Sequence, residues 1–145
     1  MKKNLFICLL MGVMAMLSIS CDDDVSAADV PAPVTSTFQE MFPGATAKWE
    51  KEPNGQLKAE FYADYHEMEA WFQKDGTWVM TQKDLNVSEL PQTVLNYLAQ
   101  NHPGVEIDDA DWVETPTEKY YRVELERESK KDIVLTFTEQ GELIK

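Results

Sequence analysis

The stretch FPGATAKWE, Phe42–Glu50, returns sixty residues later as HPGVEIDDADWVE, His102–Glu114. Setting Pro43-Gly44 on Pro103-Gly104 brings Val34 onto Val94, Phe38 onto Leu98 and Phe42 onto His102, with Val30 on Leu90 and Pro31 on Pro91. Apolar residues four apart, ahead of a Pro-Gly breaker, describe an amphipathic helix and its stop. In the second copy Ser88 is the expected N-cap, with Pro91 in the first turn.

Behind each Pro-Gly the order of motifs repeats. Lys48–Glu50 answers Asp111–Glu114, which sets Trp49 on Trp112; Lys58–Phe61 answers Arg122–Leu125; Ala70–Val79 answers Leu135–Ile144. These segments alternate with period two, the mark of half-covered strands. Leu57, Ala59, Phe61 and Ala63 share one face against Lys58, Glu60 and Tyr62. Met68, Ala70 and Phe72 oppose Glu69 and Trp71, and Trp78 and Met80 are assigned to the apolar side. In the second copy Tyr121, Val123 and Leu125 oppose Tyr120, Arg122 and Glu124, and Ile133, Leu135 and Phe137 oppose Val134 and Thr136. Lys74–Gly76, Glu139–Gly141 and Pro53–Gly55 supply turns in which glycine takes positive φ. Alternation of this kind implies antiparallel strands covered on one side, and the two helices are the cover.

The expected class is therefore α+β. A tandem repeat of helix plus four-stranded antiparallel meander forms one sheet of about eight strands, both helices on one face. Residues 30–86 make the first repeat and 87–145 the second. Phe61, Phe72 and Leu135 are expected under the helices, and Trp71 and Tyr62 largely exposed opposite them.

Residues 1–20 read as a signal peptide: Lys2 and Lys3 precede the apolar run Leu5–Leu17, too short for a comfortable membrane span. Cys21 follows small residues directly behind that run, the layout of a lipoprotein processing site. Ser26–Ala28 is a rival cleavage site. With Cys8 inside the leader, Cys21 has no disulfide partner left, which lipidation accounts for. Residues 21–29 read as a flexible tether. This layout places the protein in the periplasm or outer membrane of a Gram-negative bacterium, lipid-anchored.

The 145 residues carry a net charge of −13, and loss of the two leader lysines takes it to −15. Such a chain repels phosphate backbones and anionic lipids, so nucleic acid is excluded as a partner and membrane contact is left to the anchor.

The succession Val34–Phe38–FPGA–WE, then AEF, EAWF and DGTW, then LP–HPG–YYRVEL, resembles the PepSY-like family of exported bacterial proteins, whose fold is similar to that of β-lactamase inhibitor protein. The resemblance covers nearly all of residues 30–145 and implies one curved antiparallel sheet with helices on its convex side. It implies inhibition of secreted enzymes, or calcium regulation in the periplasm, without assigning a residue to either. The turn Ala63–His66 departs from the Asn-Gly type common among relatives.

Catalytic chemistry finds no residue set. G-x-S-x-G, H-E-x-x-H and C-x-x-C are absent, and His66 and His102 occupy a turn and a helix end. Asp108–Asp111 is the densest acidic group behind the second Pro-Gly. In a loop, Asp108, Asp109 and Asp111 are candidate Ca²⁺ ligands, against the plainer reading of a solvated acidic loop. Trp49, Trp78 and Trp112 fall on core faces. Trp71, Tyr62 and Tyr120 fall opposite, among Lys58 and Arg122. These five form a candidate partner-binding surface, or a set of cross-strand pairs that stiffens the sheet. The function read from the sequence is a non-enzymatic binding module for a protein or peptide of the envelope, inhibitory toward an exported enzyme. The alternative is a Ca²⁺-responsive or small-ligand-binding sensor.

Overall fold

A computed structural model describes residues 23–127 and 131–144. The leader and Cys21 lie outside the described residues. No helix among the described residues is long and apolar enough to cross a membrane.

Eight strands form one sheet in chain order, every neighbouring pair antiparallel. They are β1 (Asp24–Val25), β2 (Ala47–Lys51), β3 (Leu57–Ala63), β4 (His66–Phe72), β5 (Trp78–Asp84), β6 (Ile107–Glu114), β7 (Lys119–Leu125) and β8 (Ile133–Thr138). Helix α1 (Ala32–Met41) precedes β2 and α2 (Gln92–Asn101) precedes β6.

The two helices are related by the same sixty-residue offset at both ends. Each ends alike: the Phe42 and His102 N–H groups donate to the Phe38 and Leu98 carbonyls, and Gly44 and Gly104 follow with φ of 79° and 75°. Val30, Val34 and Phe38 pack on Trp49, Leu57, Ala59, Phe61, Ala70 and Phe72. Leu90, Val94 and Leu98 pack on Ala110, Val123, Leu125, Leu135 and Phe137. Each helix thus closes its own half of one side of the sheet. Phe61, Phe72 and Leu135 are buried, as the alternation requires.

Several local expectations are corrected. The eighth strand is β1, drawn from the segment read as a tether. The second repeat supplies only three full strands, its fourth reduced to a bridge between Phe137 and Leu143. Asn86, not Ser88, caps the turn before α2: the Glu89 carboxylate accepts from the Asn86 N–H at 2.8 Å, and Pro91 stands at the α2 N-cap. Trp49 and Trp112 are not counterparts. Trp49 pairs with Ala59, whereas the corresponding Val123 pairs with Ala110. An irregularity between Ile107 and Asp109 adds a residue to β6, so that Ala110 rather than Asp109 takes the Trp49 position, and Trp112 lies two residues farther along on the same face. A second one in the β4–β5 pairing leaves Val79 unmatched, and Met80 lands opposite Trp71 on the uncovered face rather than in the core.

The turn Ala63–His66 is closed by Asp64 and Tyr65 with φ of 51° and 67°, the positive pair that a type I′ hairpin demands. The turn glycines Gly76 and Gly141 are buried and seat their hairpins on the helix starts. A Cβ on Gly76 would lie 2.7 Å from the Pro33 carbonyl oxygen, and one on Gly141 would lie against Thr93, sixty residues on from Pro33. Gly76→Ala is expected to cost about 2–3 kcal/mol, from left-handed strain plus a clash with backbone. Gly55→Ala has the same strain but open space, and should cost about 1 kcal/mol. Urea unfolding of both variants checks the difference.

Candidate functional site

The sheet face opposite the helices is covered by no element among the described residues. Pairing sets Lys58 beside Trp71, Trp71 beside Met80, Tyr62 beside Glu67, Tyr120 beside Val113 and Arg122 beside Asp111. All five residues assigned to a partner surface therefore share this face. Their availability differs from expectation. Tyr62 is 64% exposed, but Trp71 and Tyr120 are half-buried. Trp71 stands on an interior strand, flanked by side chains of β3 and β5, and cannot stand clear as Tyr62 does near a strand end.

Lys58 is not a free charge. Its ammonium lies 2.9 Å from Glu50, 2.6 Å from Glu60 and 3.2 Å from Glu69. Burial works against the ammonium, yet these carboxylates hold its pKa above the ordinary value. Glu50 is held below the usual carboxylate range by hydrogen bonds from Lys58 and Lys48. Lys48 in turn meets Asp24 at 3.0 Å, tying β1 to the sheet. A ladder of alternating charges thus crosses β1 to β4.

A second polar group is centred on β6. Asp111 is only 2% exposed. Its carboxylate accepts from Arg122 Nε at 2.9 Å and from Gln82 Nε2 at 2.9 Å, and Arg122 Nη2 lies 2.7 Å away. Burial pushes the Asp111 carboxyl up to about 6; Arg122 pulls the other way and Asp109 adds to the rise. Arg122 loses some favour by burial but is raised overall by Asp111, Asp109 and Glu124. The guanidinium therefore stays charged, and Asp111 is the partner that titrates. Asp84 is also raised, by burial first and then by the charges of Asp109 and Glu67.

The acidic run is strand, not loop, and this changes the candidate metal ligands. Asp109 and Asp111 converge with Asp84 of β5, their carboxylate oxygens within 4.8 Å of one another; Asp108 is exposed and outside the group. Asp84 was not recoverable from local sequence, because only the β5–β6 pairing sets it beside Asp111. Three carboxylates offer hard oxygens for a cation, but Ca²⁺ takes six to eight, and Arg122 is already paired with two of the three. The residues fit such an ion in part, with water required to complete the shell.

Beside this group the face sinks into an open recess of about 580 Å³, lined by Glu60, Glu67, Glu69, Asp84, Asp109 and Asp111, with Lys48 the one lining cation among the described residues.

Comparison with known proteins agrees with this architecture. The family profile described as "Putative beta-lactamase-inhibitor-like, PepSY-like" matches residues 55–145. The chain belongs to the PepSY-like family. A BLIP-like protein from Bacteroides fragilis is 30% identical, with a TM-score of 0.72 over 79% of this chain and 84% of that one. A DUF2874 family protein from Bacteroides ovatus is 29% identical, with the same TM-score over 79% and 84%. A Bacteroides eggerthii protein described as "putative periplasmic" is 23% identical, with a TM-score of 0.72 over 80% and 86%, and shares the fold. No curated protein matches the chain. The PepSY-like fold thus presents here an open face that combines half-buried aromatics with ion-paired charges.

Proposed function

We propose that the chain is a non-enzymatic, exported binding module that grips a protein or peptide with its open sheet face and inhibits an enzyme of the envelope. The observation that carries this reading is the uncovered face itself, on which Tyr62, Trp71, Met80 and Tyr120 are interleaved with charge. Fixed aromatics within a polar surround are the composition of protein interfaces. The BLIP-like description of the Bacteroides fragilis relative supports the inhibitory part. Trp71→Ala is expected to leave the fold intact and to weaken capture of the envelope partner by about 2 kcal/mol, the scale of an aromatic hot spot. Pull-down from the organism's own envelope followed by competition binding checks it. Unchanged capture would sink the reading.

Anchoring through Cys21 completes the proposal, supported by the leader layout. Cys21→Ala should move the protein from the membrane to the soluble exported fraction on cell fractionation. A wild-type chain that begins at Asp29 would assign cleavage to Ala28 instead.

A Ca²⁺-responsive sensor is the second reading, favoured by the convergence of Asp84, Asp109 and Asp111. Titration calorimetry with Ca²⁺ alone decides it: a stoichiometric heat lost in Asp109→Asn supports the sensor, and no heat removes it.

A further inference from the structure

The open face carries both signs of charge, but not evenly. The cations that β2, β3 and β7 place there are Lys48, Lys58 and Arg122, and each is already engaged by two or more carboxylates. Glu67 and Asp84, in contrast, make no ion pair with lysine or arginine among the described residues, although both line the recess. Tyr62, directly opposite Glu67, projects beside them, and the three also line a smaller adjoining cavity of about 170 Å³. A ring next to two unpaired carboxylates at the edge of a cavity is complementary to one kind of group. A guanidinium or ammonium can lie on the tyrosine face while donating to both carboxylates.

We infer that the partner of the open face is a protein segment bearing arginine or lysine, one such side chain entering the recess against Tyr62 between Glu67 and Asp84. This inference rests on the open-face reading and adds the partner's chemistry to it. The chain's overall charge of −13 would draw such a segment in from a distance, and the recess would hold it in place.

The test is selection of random twelve-residue displayed peptides on the exported chain, with Kd values measured by fluorescence anisotropy. Glu67→Gln with Asp84→Asn removes the recess charges with near-isosteric groups. Glu40→Gln with Glu118→Gln removes the same charge elsewhere and is the control. Melting curves confirm that both pairs fold. Selected peptides should be rich in arginine or lysine, should lose at least tenfold in affinity for the recess pair, and should lose less than twofold for the control. Equal losses for both pairs would mean general attraction to an acidic protein and would overturn the inference. Peptides without basic residues that still need Trp71 would overturn it while leaving the open-face reading standing. Peptides indifferent both to Trp71→Ala and to the recess pair would remove both. Enrichment of no peptide, or spermidine binding as tightly as any peptide and equally dependent on Glu67 and Asp84, would overturn the docking of a protein segment.

Discussion

Phe38→Ala is expected to destabilise the protein by about 3–5 kcal/mol, more than any other single aromatic truncation in the first half. The ring is 2% exposed and is the hub of its core. Its centroid lies 5.5 Å from Phe42, 5.3 Å from Trp49, 5.0 Å from Phe61 and 6.3 Å from Phe72. Three of these contacts are edge-on, the favourable arrangement for the ring quadrupole. Truncation would forfeit all four and leave a cavity that neighbours held by a sheet and a helix cannot fill. For a domain of this size the melting temperature should fall by about 10–20 °C. The counterpart Leu98→Ala should cost less, about 2–4 kcal/mol, because its core is mainly aliphatic. Calorimetric melting of the two variants checks both magnitude and order. Equal losses would mean that the aromatic cluster adds nothing beyond area.

Arg122→Ala should cost about 3–5 kcal/mol near neutral pH, because it leaves the buried Asp111 carboxylate without its cation. The loss should shrink on acidification, since a protonated Asp111 no longer needs the guanidinium. The wild type should show the same group in its pH profile. Asp111 has a folded pKa of about 6 against an ordinary 3.8, so the folded state holds the extra proton between these values. Stability from this group is therefore greatest below pH 3.8 and declines as pH rises to about 6, by up to about 3 kcal/mol in total. Paired carboxylates such as Glu50, held low, act in the opposite sense at lower pH. Urea midpoints from pH 3.5 to about 7.5, compared with Asp111→Asn, separate the contributions. A slope unchanged in Asp111→Asn would assign the titration elsewhere.

The helices and the two cores were legible in the sequence because their signals are local. Val34 and Phe38 lie one turn apart, and Pro43-Gly44 ends the helix wherever the strands go. Period two likewise placed Phe61, Phe72 and Leu135 inside. What escaped depends on how strands meet. Alternation reverses wherever a bulge adds a residue, and Val79 moved Met80 to the open face in this way. The same kind of irregularity near Asp108 put Ala110 in the Trp49 position, two residues short of Trp112. At the site, facing was read correctly and availability was not: the sequence says which side Lys58 and Trp71 take, whereas Glu50, Glu69 and Met80 come from neighbouring strands and decide how much of them is left free. Asp84 joined Asp109 and Asp111 only through β5–β6 pairing, across a helix and two connections.

The chain-order succession β1 to β8 has a consequence for how the protein can be assembled. In a sheet whose spatial order equals its sequence order, no strand has to be inserted between two already in place. A polypeptide emerging from a translocation channel amino terminus first can add each new strand to the edge most recently laid down. Every closure is then a short hairpin, except the two in which a helix must also swing onto the growing sheet. Those two steps, α1 with β2 and α2 with β6, involve the longest loops and hence the greatest entropy of closure. The duplicated Pro-Gly stops stand at just these joints, so the repeated phrase in the sequence marks the closures of greatest entropy as well as the ends of the helices.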